Sequence, residues 1–265
     1  MMPALAWGEM RAALRTPLAL GGGGLATVVV ATGLLACPAR WRSRGFSNRM
    51  LYLWSRCWLL CAGARIKVHG REHLGNGGAC VVVSNHQSNL DPIVYLALSR
   101  GSLRIMTKRE LFDVPLLGAA LLALGMVKVD RLTPDRTTIQ DESVRNLAEG
   151  VPLLVFPEGT TSRRGELLPF RAGAFEVAVA SQVPIVPACV LDTRDVWPAK
   201  RLLIRPGTVH VIISEPLITT GLSRDDVPAL RARVVDRIGT TCCPRQDTNQ
   251  PAPAGWADTR KVNGT

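Results

Sequence analysis

Two apolar segments follow one another in the first part of the chain. Residues 18–37 carry no charged side chain and match the length of about 20 residues that a helix needs to cross a bilayer. Residues 50–64 are rich in Leu and Trp and contain one charge, Arg56. Trp54 and Trp58 share a helical face there, which is typical of a helix at the headgroup level. The pattern predicts a membrane-associated helical hairpin that either spans the bilayer or enters one leaflet.

Beyond the hairpin, short apolar runs alternate with helical patterns. Apolar runs between turn residues predict buried strands, and apolar positions three and four apart predict helices. This alternation predicts an α/β fold, a layered sheet with flanking helices, whose loops at the strand ends carry function. The predicted strands cover residues 80–84, 103–107, 126–129, 152–156, 185–191 and 209–214, and the predicted helices cover residues 92–99, 115–124, 136–149, 173–181 and 224–239.

The same patterns divide the chain into three parts. Residues 1–66 form the predicted hairpin, and residues 67–239 form the predicted α/β domain. Residues 240–265 are rich in Pro, Thr and other polar residues, a composition that predicts a disordered tail.

Charge and composition favour a membrane partner. The net charge is +11 and the pI about 10.0, while the mean hydropathy is +0.15. A chain that is both basic and apolar suits an anionic membrane surface. Five Phe and two Tyr leave little for base stacking, and no recognition motif is present, so no nucleic-acid partner is expected. Four arginines follow the first apolar segment and predict that the α/β domain lies on the cytoplasmic face of the membrane: Arg40, Arg42, Arg44 and Arg49.

The cysteines give no sign of a cross-linked or metal-bound framework. Seven cysteines are scattered along the chain, and none stands in a Cys-x-x-Cys pair. This usage argues against a disulfide framework or a structural zinc site and fits a reducing compartment. Neither a metal ion nor a cofactor is expected.

The first candidate for chemistry lies directly after the predicted strand 80–84. His86 and Asp91 stand five positions apart, and a carboxylate on one imidazole nitrogen fixes the tautomer that lets the other accept a proton. No serine or cysteine is placed as a third partner, which points to a base acting on a substrate hydroxyl. The structural alternative is a strand-end histidine beside a helix N-cap, because Asp91 is followed by Pro92.

The second candidate is the segment 154–162, Leu-Val-Phe-Pro-Glu-Gly-Thr-Thr-Ser. A strand that ends in Pro-Glu-Gly-Thr brings backbone N–H groups, a carboxylate and hydroxyls into one tight turn. Such a turn can bind an anion or stabilise a developing oxyanion. The alternative is an ordinary strand-to-loop turn.

Together these segments resemble the motifs of the 1-acylglycerol-3-phosphate (lysophosphatidate) acyltransferases, glycerolipid acyltransferases with a His-x4-Asp motif. Four blocks of that family have counterparts here in the family's order, and the likeness covers roughly residues 68–218. A connecting segment of the family resembles Lys108 to Leu111, with Pro115 and Gly118 beyond it. The four blocks are residues 85–91, 125–131, 156–162 and 183–188.

The resemblance implies acyl transfer from acyl-CoA or acyl-carrier protein to the sn-2 hydroxyl of 1-acylglycerol 3-phosphate, which gives phosphatidate. It implies that His86 is the general base and that Asp91 orients it. The backbone N–H groups of the His86 and Gly159 turns are candidates for the oxyanion site, and Glu158 shapes the turn or contacts the glycerol. The implied substrate-binding residues are Lys108, Arg131, Glu158, Gly159, Thr160, Thr161 and Arg163, with Lys108 and Arg131 on the acceptor phosphate.

One position departs from the family. Relatives commonly have an arginine after Glu-Gly-Thr, where this chain has Thr161, so Arg163, Arg164 or Arg171 would have to reach the same anion. The change leaves open another lysolipid acceptor, such as lyso-ornithine lipid, which has no phosphate. A non-catalytic lipid-binding membrane protein is the alternative of a different class, and the intact His86/Asp91 pair argues against it.

Overall fold

The computed structural model describes residues 4–74, 78–130, 136–199 and 201–242. Arg131, one of the predicted phosphate ligands, lies outside these ranges, as do residues 243–265 of the predicted tail.

The N-terminal part is an antiparallel pair of helices, α1 (Ala4–Ala36) and α2 (Arg44–Ala62). Within α1, Ala12–Ala36 is long and apolar enough to cross a membrane, with a hydropathy of 1.9. The second helix begins before the apolar segment 50–64 because the Ser43 side chain accepts a hydrogen bond from Phe46 N, 3.2 Å away. Gly63 ends α2 in the left-handed region, at φ 69°.

Close contact at Gly23 and hydrogen bonds to Thr27 hold the hairpin together. A Cβ atom at Gly23 would lie 2.4 Å from the Trp58 ring, so α2 approaches α1 where a side chain is missing. The Thr27 hydroxyl accepts both the Trp54 and the Trp58 indole N–H, at 2.9 and 3.2 Å. These tryptophans therefore direct their indole N–H groups into the hairpin. The prediction that α2 lies at the headgroup level of a membrane stays a prediction.

The α/β domain is built on a seven-stranded sheet with the order β1-β7-β6-β2-β5-β3-β4. Neighbouring strands are parallel except for β6 and β7, which are antiparallel. The strands are β1 (Ala64–His69), β2 (Val81–Ser84), β3 (Arg104–Lys108), β4 (Val127–Val129), β5 (Leu153–Val155), β6 (Ile185–Leu191) and β7 (Gly207–Ile213).

Helices cover both faces of this sheet. Val82 and Leu154 face a core shared with α3 and the hairpin, whereas Val81 and Val83 face a core shared with α6 and α8. Alternate residues of a strand point to opposite faces, which is why one short apolar run serves both cores. The domain's helices are α3 (Asp91–Leu98), α4 (Leu117–Ala123), α5 (Arg136–Ala148), α6 (Gly173–Ala180), α7 (Thr193–Val196) and α8 (Val227–Cys242).

The predicted α/β class is confirmed, and each predicted strand and helix of the domain is present with its ends shifted by at most three residues. Two elements were missed, β1 and the short α7. The strand β1 lies at the sheet edge, and its exposed positions carry Arg65, Lys67 and His69, so the sequence shows no apolar run there. The predicted boundary between residues 66 and 67 falls inside β1, and the sheet begins at Ala64.

The end of α8 corrects two expectations. The helix continues through Thr240 to Cys242, three residues that the prediction assigned to the disordered tail. Cys242 forms a disulfide with Cys189 of β6, 53 residues away, so the expectation of free thiols is wrong for this pair. Spacing along the chain does not reveal that the last turn of α8 packs on β6.

Polar contacts also tie the hairpin to the domain far from the sheet centre. Arg104 is buried at the start of β3, where its guanidinium donates to Asn48 Oδ1 of α2 at 3.0 Å and to Gly101 O at 2.9 Å. Burial, with Arg44 nearby, lowers the pKa of Arg104 to about 10. Arg44 itself donates to Glu149 O at 2.7 Å. The first turn of α2 is thus anchored to the β3 and α5 side of the domain.

Adjacent glycines of α1 offer a matched test of the hairpin contact. Gly23→Ala would place a methyl group against the Trp58 ring, whereas nothing lies within 4 Å of a methyl group at Gly24. Both changes favour a helix by up to about 1 kcal/mol. We expect Gly24→Ala to keep or raise the melting temperature in detergent and Gly23→Ala to lower it. Equal melting temperatures for the two variants would contradict the close α1–α2 contact.

Candidate active site

Strand order brings the two candidate segments together. The strands β2 and β5 are parallel neighbours, with Val83 paired to Val155. Loops at the carboxyl ends of adjacent parallel strands lie side by side, and this edge is where open α/β sheets bind ligands. His86 follows β2 and Glu158 follows β5, so residues 72 positions apart in the chain are in contact.

The predicted His–Asp pair is present. His86 Nδ1 lies 2.7 Å from Asp91 Oδ2, and the Asp91 side chain is fully buried. The same oxygen accepts the backbone N–H groups of Gln87 and Ser88, at 2.7 and 2.8 Å. Although Asp91 is the first residue of α3, its carboxylate binds groups that precede the helix, so the alternative of a helix N-cap does not describe its role.

The ring of His86 is fixed on its face as well as at its edge. It stacks on Phe156 with centroids 4.3 Å apart and an interplanar angle of 20°. The edge of Tyr95 supports Phe156 at 6.2 Å, and the Tyr95 hydroxyl lies 2.7 Å from Ser84 Oγ. Because Nδ1 faces the carboxylate, Nε2 is the atom that can accept a proton, and the His86 side chain is 13% exposed. Sequence reasoning missed Phe156, which looked like one more strand residue.

Hydrogen bonds join the His86 loop to the strands on both sides. His86 N donates to Glu158 Oε1 at 2.9 Å, and Ser162 N donates to His86 O at 2.8 Å. On the other side, Asn85 Nδ2 donates to Val190 O at 2.9 Å and its Oδ1 accepts Val190 N at 2.8 Å. The side-chain amide of Asn85 thus forms with Val190 the pair of backbone-type hydrogen bonds that a neighbouring strand would form. The sequence did not indicate this role.

Glu158 is a structural acceptor in this turn. Its second oxygen accepts Leu168 N at 3.4 Å, and its side chain is almost fully buried. Burial raises the pKa of Glu158 to about 7, although the N–H groups of His86 and Leu168 act in the opposite direction. Both oxygens face backbone donors, which agrees with the expectation that Glu158 shapes the turn.

The backbone donors proposed for an oxyanion are already in use. His86 N–H is donated to Glu158, and Gly159 N–H is donated to Phe156 O at 3.1 Å. Gln87 and Ser88 donate to Asp91. These four groups hold the two turns in shape, so none of the four is free to bind an oxyanion in this structure. That another N–H group of these turns binds the oxyanion stays a prediction.

A cavity of about 460 Å³ opens at the carboxyl ends of β3, β4 and β5. Phe156 lies in its wall, and the imidazole of His86 stacks on Phe156, although His86 itself does not line this space. Lys108 and Arg171 line the cavity together with Gly159. Gly159 has φ 68°, and a Cβ atom there would lie 2.9 Å from Arg171 Nε, so the guanidinium covers the glycine. Two cations therefore border a pocket whose wall includes Phe156, the ring on which the candidate base stacks.

The other predicted binding residues lie outside the cavity wall. Thr160 and Arg163 are exposed, and Thr161 is half-buried. Among the described residues, none of these three lines the cavity, whereas Lys108 and Gly159 do. All three arginines considered as substitutes at position 161 are exposed, but Arg171 lines the pocket, whereas Arg163 and Arg164 do not.

A second His–Asp pair shows that contact alone does not define the site. His210 Nδ1 lies 2.7 Å from Asp192 Oδ2, but the Asp192 side chain is 48% exposed. Solvent screens such a pair, so it lacks the strong orienting effect of the buried Asp91 carboxylate. Within the described ranges, no three His, Cys, Asp or Glu side chains are grouped closely enough to bind a metal ion.

Comparisons with known proteins identify the family of this chain. The model of a family described as Acyltransferase matches residues 65–191, a span that contains all four motif blocks. The human 1-acyl-sn-glycerol-3-phosphate acyltransferase alpha is 38% identical over 174 residues, which cover 65% of this chain and 62% of that protein. The human beta protein is 33% identical over 209 residues, which cover 78% of this chain and 75% of that protein. This chain belongs to the 1-acyl-sn-glycerol-3-phosphate acyltransferase family.

A solved structure supports the fold of this acyltransferase family member. The crystal structure of the 1-acyl-sn-glycerophosphate acyltransferase PlsC from Thermotoga maritima matches with a TM-score of 0.76, over 92% of this chain and 99% of that chain. The sequence identity is 23%, so the likeness concerns the fold. The chain spans 62% of the length of the human alpha relative.

The raised pKa of Glu158 predicts a pH-dependent stability. The folded state holds the proton between the ordinary pKa of 4.5 and about 7, whereas the unfolded state releases it. The free energy of unfolding should therefore fall as pH rises through this window, by an amount on the order of 2 kcal/mol. Glu158→Gln removes the titration, so urea unfolding at pH 5 and pH 8 should show a smaller fall in the variant. Parallel pH curves would contradict the raised pKa.

Proposed function

We propose that this chain moves a fatty acyl group from acyl-CoA or acyl-carrier protein to the sn-2 hydroxyl of 1-acylglycerol 3-phosphate, giving phosphatidate. The observation that carries the proposal is the His86 imidazole, held at Nδ1 by the buried Asp91 carboxylate and stacked on Phe156, which lines a pocket with two cations. Relatives named 1-acyl-sn-glycerol-3-phosphate acyltransferase support the choice of acceptor.

In the proposed reaction, His86 Nε2 removes the proton of the acceptor hydroxyl as that oxygen attacks the thioester carbonyl carbon. A C–O bond forms, and the tetrahedral intermediate then expels the thiolate as the C–S bond breaks. The imidazolium returns its proton to the leaving thiolate, so the products are the new ester and the free thiol. Asp91 keeps Nδ1 protonated and offsets the positive charge that the ring carries in between.

We assign the acceptor phosphate to Lys108 and Arg171. Both line the cavity, and the Arg171 guanidinium, which packs over Gly159, can bind two phosphate oxygens at once. Arg171 would then supply the charge that relatives obtain from the arginine after Glu-Gly-Thr, where this chain has Thr161. The assignments of Thr160, Arg163 and Arg131 as further ligands remain predictions.

Thr161 favours a second candidate with the same chemistry, acyl transfer to another lysolipid such as lyso-ornithine lipid, which has no phosphate. A non-catalytic lipid-binding protein is less consistent with the site. Burying the Asp91 carboxylate costs several kcal/mol unless it is compensated, and a lipid-binding surface has no use for a carboxylate aligned on an imidazole.

We propose that α1 and α2 attach the chain to the cytoplasmic face of a membrane. Large apolar side chains of α1 are exposed within the stretch that is long enough to cross a bilayer. The arginines that follow α1 favour the cytoplasmic side. The exposed residues are Leu14, Leu18, Leu25, Val28 and Val29.

Replacing the candidate base tests the proposed chemistry. We expect His86→Ala to lower kcat by at least about 100-fold, because a positioned general base contributes about 10²–10⁴-fold. His210→Ala is the matched control, since it breaks the other His–Asp pair and should leave the rate within about twofold. The measurement is thiol release from acyl-CoA with lysophosphatidate in detergent micelles. A His86→Ala enzyme with wild-type kcat would rule out this mechanism.

Arg171→Ala distinguishes the acceptors. Loss of a charge-assisted contact of about 1.5–3 kcal/mol should raise the KM for lysophosphatidate by about tenfold or more. Arg164→Ala, which removes an exposed arginine nearby, should leave that KM unchanged. With lyso-ornithine lipid as acceptor, Arg171→Ala should have little effect. A wild-type enzyme that acylates only lyso-ornithine lipid would favour the second candidate function.

A further inference from the structure

One aromatic contact joins the N-terminal hairpin to the α/β domain close to the candidate site. Trp58 of α2 stacks on Trp197, with ring centroids 5.3 Å apart and an interplanar angle of 18°. Both side chains are nearly buried, and Trp197 is the residue that ends α7. Stacked aromatic pairs contribute to stability beyond the area that they bury. The contact therefore restrains how these two elements meet.

Trp197 in turn holds the loop that carries the candidate base. Ser88 Oγ donates to Trp197 O, and Ser88 also forms an isolated bridge with Pro198. The indole N–H of Trp197 donates to Arg201 O at 3.0 Å, which restrains the ring from its other edge. Ser88 is fully buried, so its position depends on these partners.

Ser88 links Trp197 to the Asp91 carboxylate and so to the imidazole of His86. Its backbone N–H donates to Asp91 Oδ2, the atom that also binds His86 Nδ1. The other carboxylate oxygen, Asp91 Oδ1, is buried and has no hydrogen-bond partner among the described residues. All the orienting bonds of this carboxylate therefore converge on one oxygen, and a shift of Ser88 would turn the carboxylate and with it the imidazole.

We propose that Trp58 is a positioning residue for acyl transfer, through which the N-terminal hairpin aligns the His86–Asp91 pair. The inference rests on the proposed function and adds to it a role for the hairpin besides membrane attachment. Two polar ties of the hairpin, Asn48 to Arg104 and Arg44 to Glu149, lie at the β3 and α5 side of the domain. A third joins α1 to the segment after Trp197, where Ile204 N donates to Thr16 Oγ1 at 2.9 Å. Trp58 instead contacts the residue that binds the loop after β2.

The neighbouring tryptophan provides a matched control. Trp54 and Trp58 both donate an indole N–H to Thr27, but the ring that stacks on Trp197 is that of Trp58. We expect Trp58→Leu to lower kcat at least tenfold, with the KM for the lysolipid within about twofold of wild type. Trp54→Leu should leave both constants within about twofold. The assay uses the full chain in detergent micelles, with melting temperatures recorded for each variant.

Two further variants separate positioning from general packing. Trp58→Phe keeps an aromatic ring over Trp197 and loses the bond to Thr27, so it should recover kcat to within about threefold of wild type. Ser88→Ala should lower kcat by itself, and the double variant with Trp58→Leu should be no slower than the slower single variant. Such non-additivity is expected when two residues act through the same contact path.

Several results would overturn the inference. They are wild-type kcat in Trp58→Leu or Ser88→Ala, an equal loss in Trp54→Leu, no recovery in Trp58→Phe, or multiplicative effects in the double variant. If Trp58→Leu does not fold, the kcat values of Trp58→Phe and Ser88→Ala test the inference. A kcat more than about threefold below wild type in Trp58→Phe, or a wild-type kcat in Ser88→Ala, would then overturn it. Acyl transfer by the wild-type enzyme together with any of these results would reject the positioning role while leaving the proposed function intact.

Discussion

The structure around the candidate site depends on burying one charge, the carboxylate of Asp91. A desolvated carboxylate is tolerated only when hydrogen-bond donors replace its water, and here two backbone N–H groups and the His86 imidazole do so. The compensation is also what makes the site useful, because the bonds that stabilise the carboxylate orient the imidazole. Asp192, which is half-exposed beside His210, shows the contrast, since solvent takes much of the role that protein donors have at Asp91.

The sheet topology supplies the rest of the frame. The central strand β2 has β5 on one side and β6 on the other, and the loop after β2 is bonded to both neighbours through Glu158 and Asn85. Glu158 is nearly buried with a pKa raised to about 7, so the turn carries a local cost in stability. Functional sites that require a fixed geometry commonly include residues that lower the folding stability, and the surrounding packing offsets that loss.

The N-terminal hairpin also belongs to this frame, in addition to being the most apolar part of the chain. Its helices meet at Gly23, where the ring of Trp58 fits, and the same ring stacks on Trp197 next to the candidate loop. Buried Arg104 fixes the beginning of α2 to the domain through Asn48. The hairpin therefore contacts the domain at several separate places, including Thr16 with Ile204, and its orientation is set by packing and not by the linker at Gly63.

The sequence by itself determined the features that are local or ordered along the chain. Alternating apolar runs identified the α/β class, and the motif blocks identified the family and the His86–Asp91 pair, because five positions across a strand end leave little freedom. The sequence did not predict the strand β1, because the exposed residues of that strand are charged. Nor did it indicate which arginine takes the place of the family's arginine at position 161. Only the tertiary structure decided which residues far apart in sequence come into contact. Those contacts depend on strand order and helix packing, which no local pattern encodes, and they are Arg171 over Gly159, Phe156 on His86, Cys189 with Cys242, and Trp58 on Trp197.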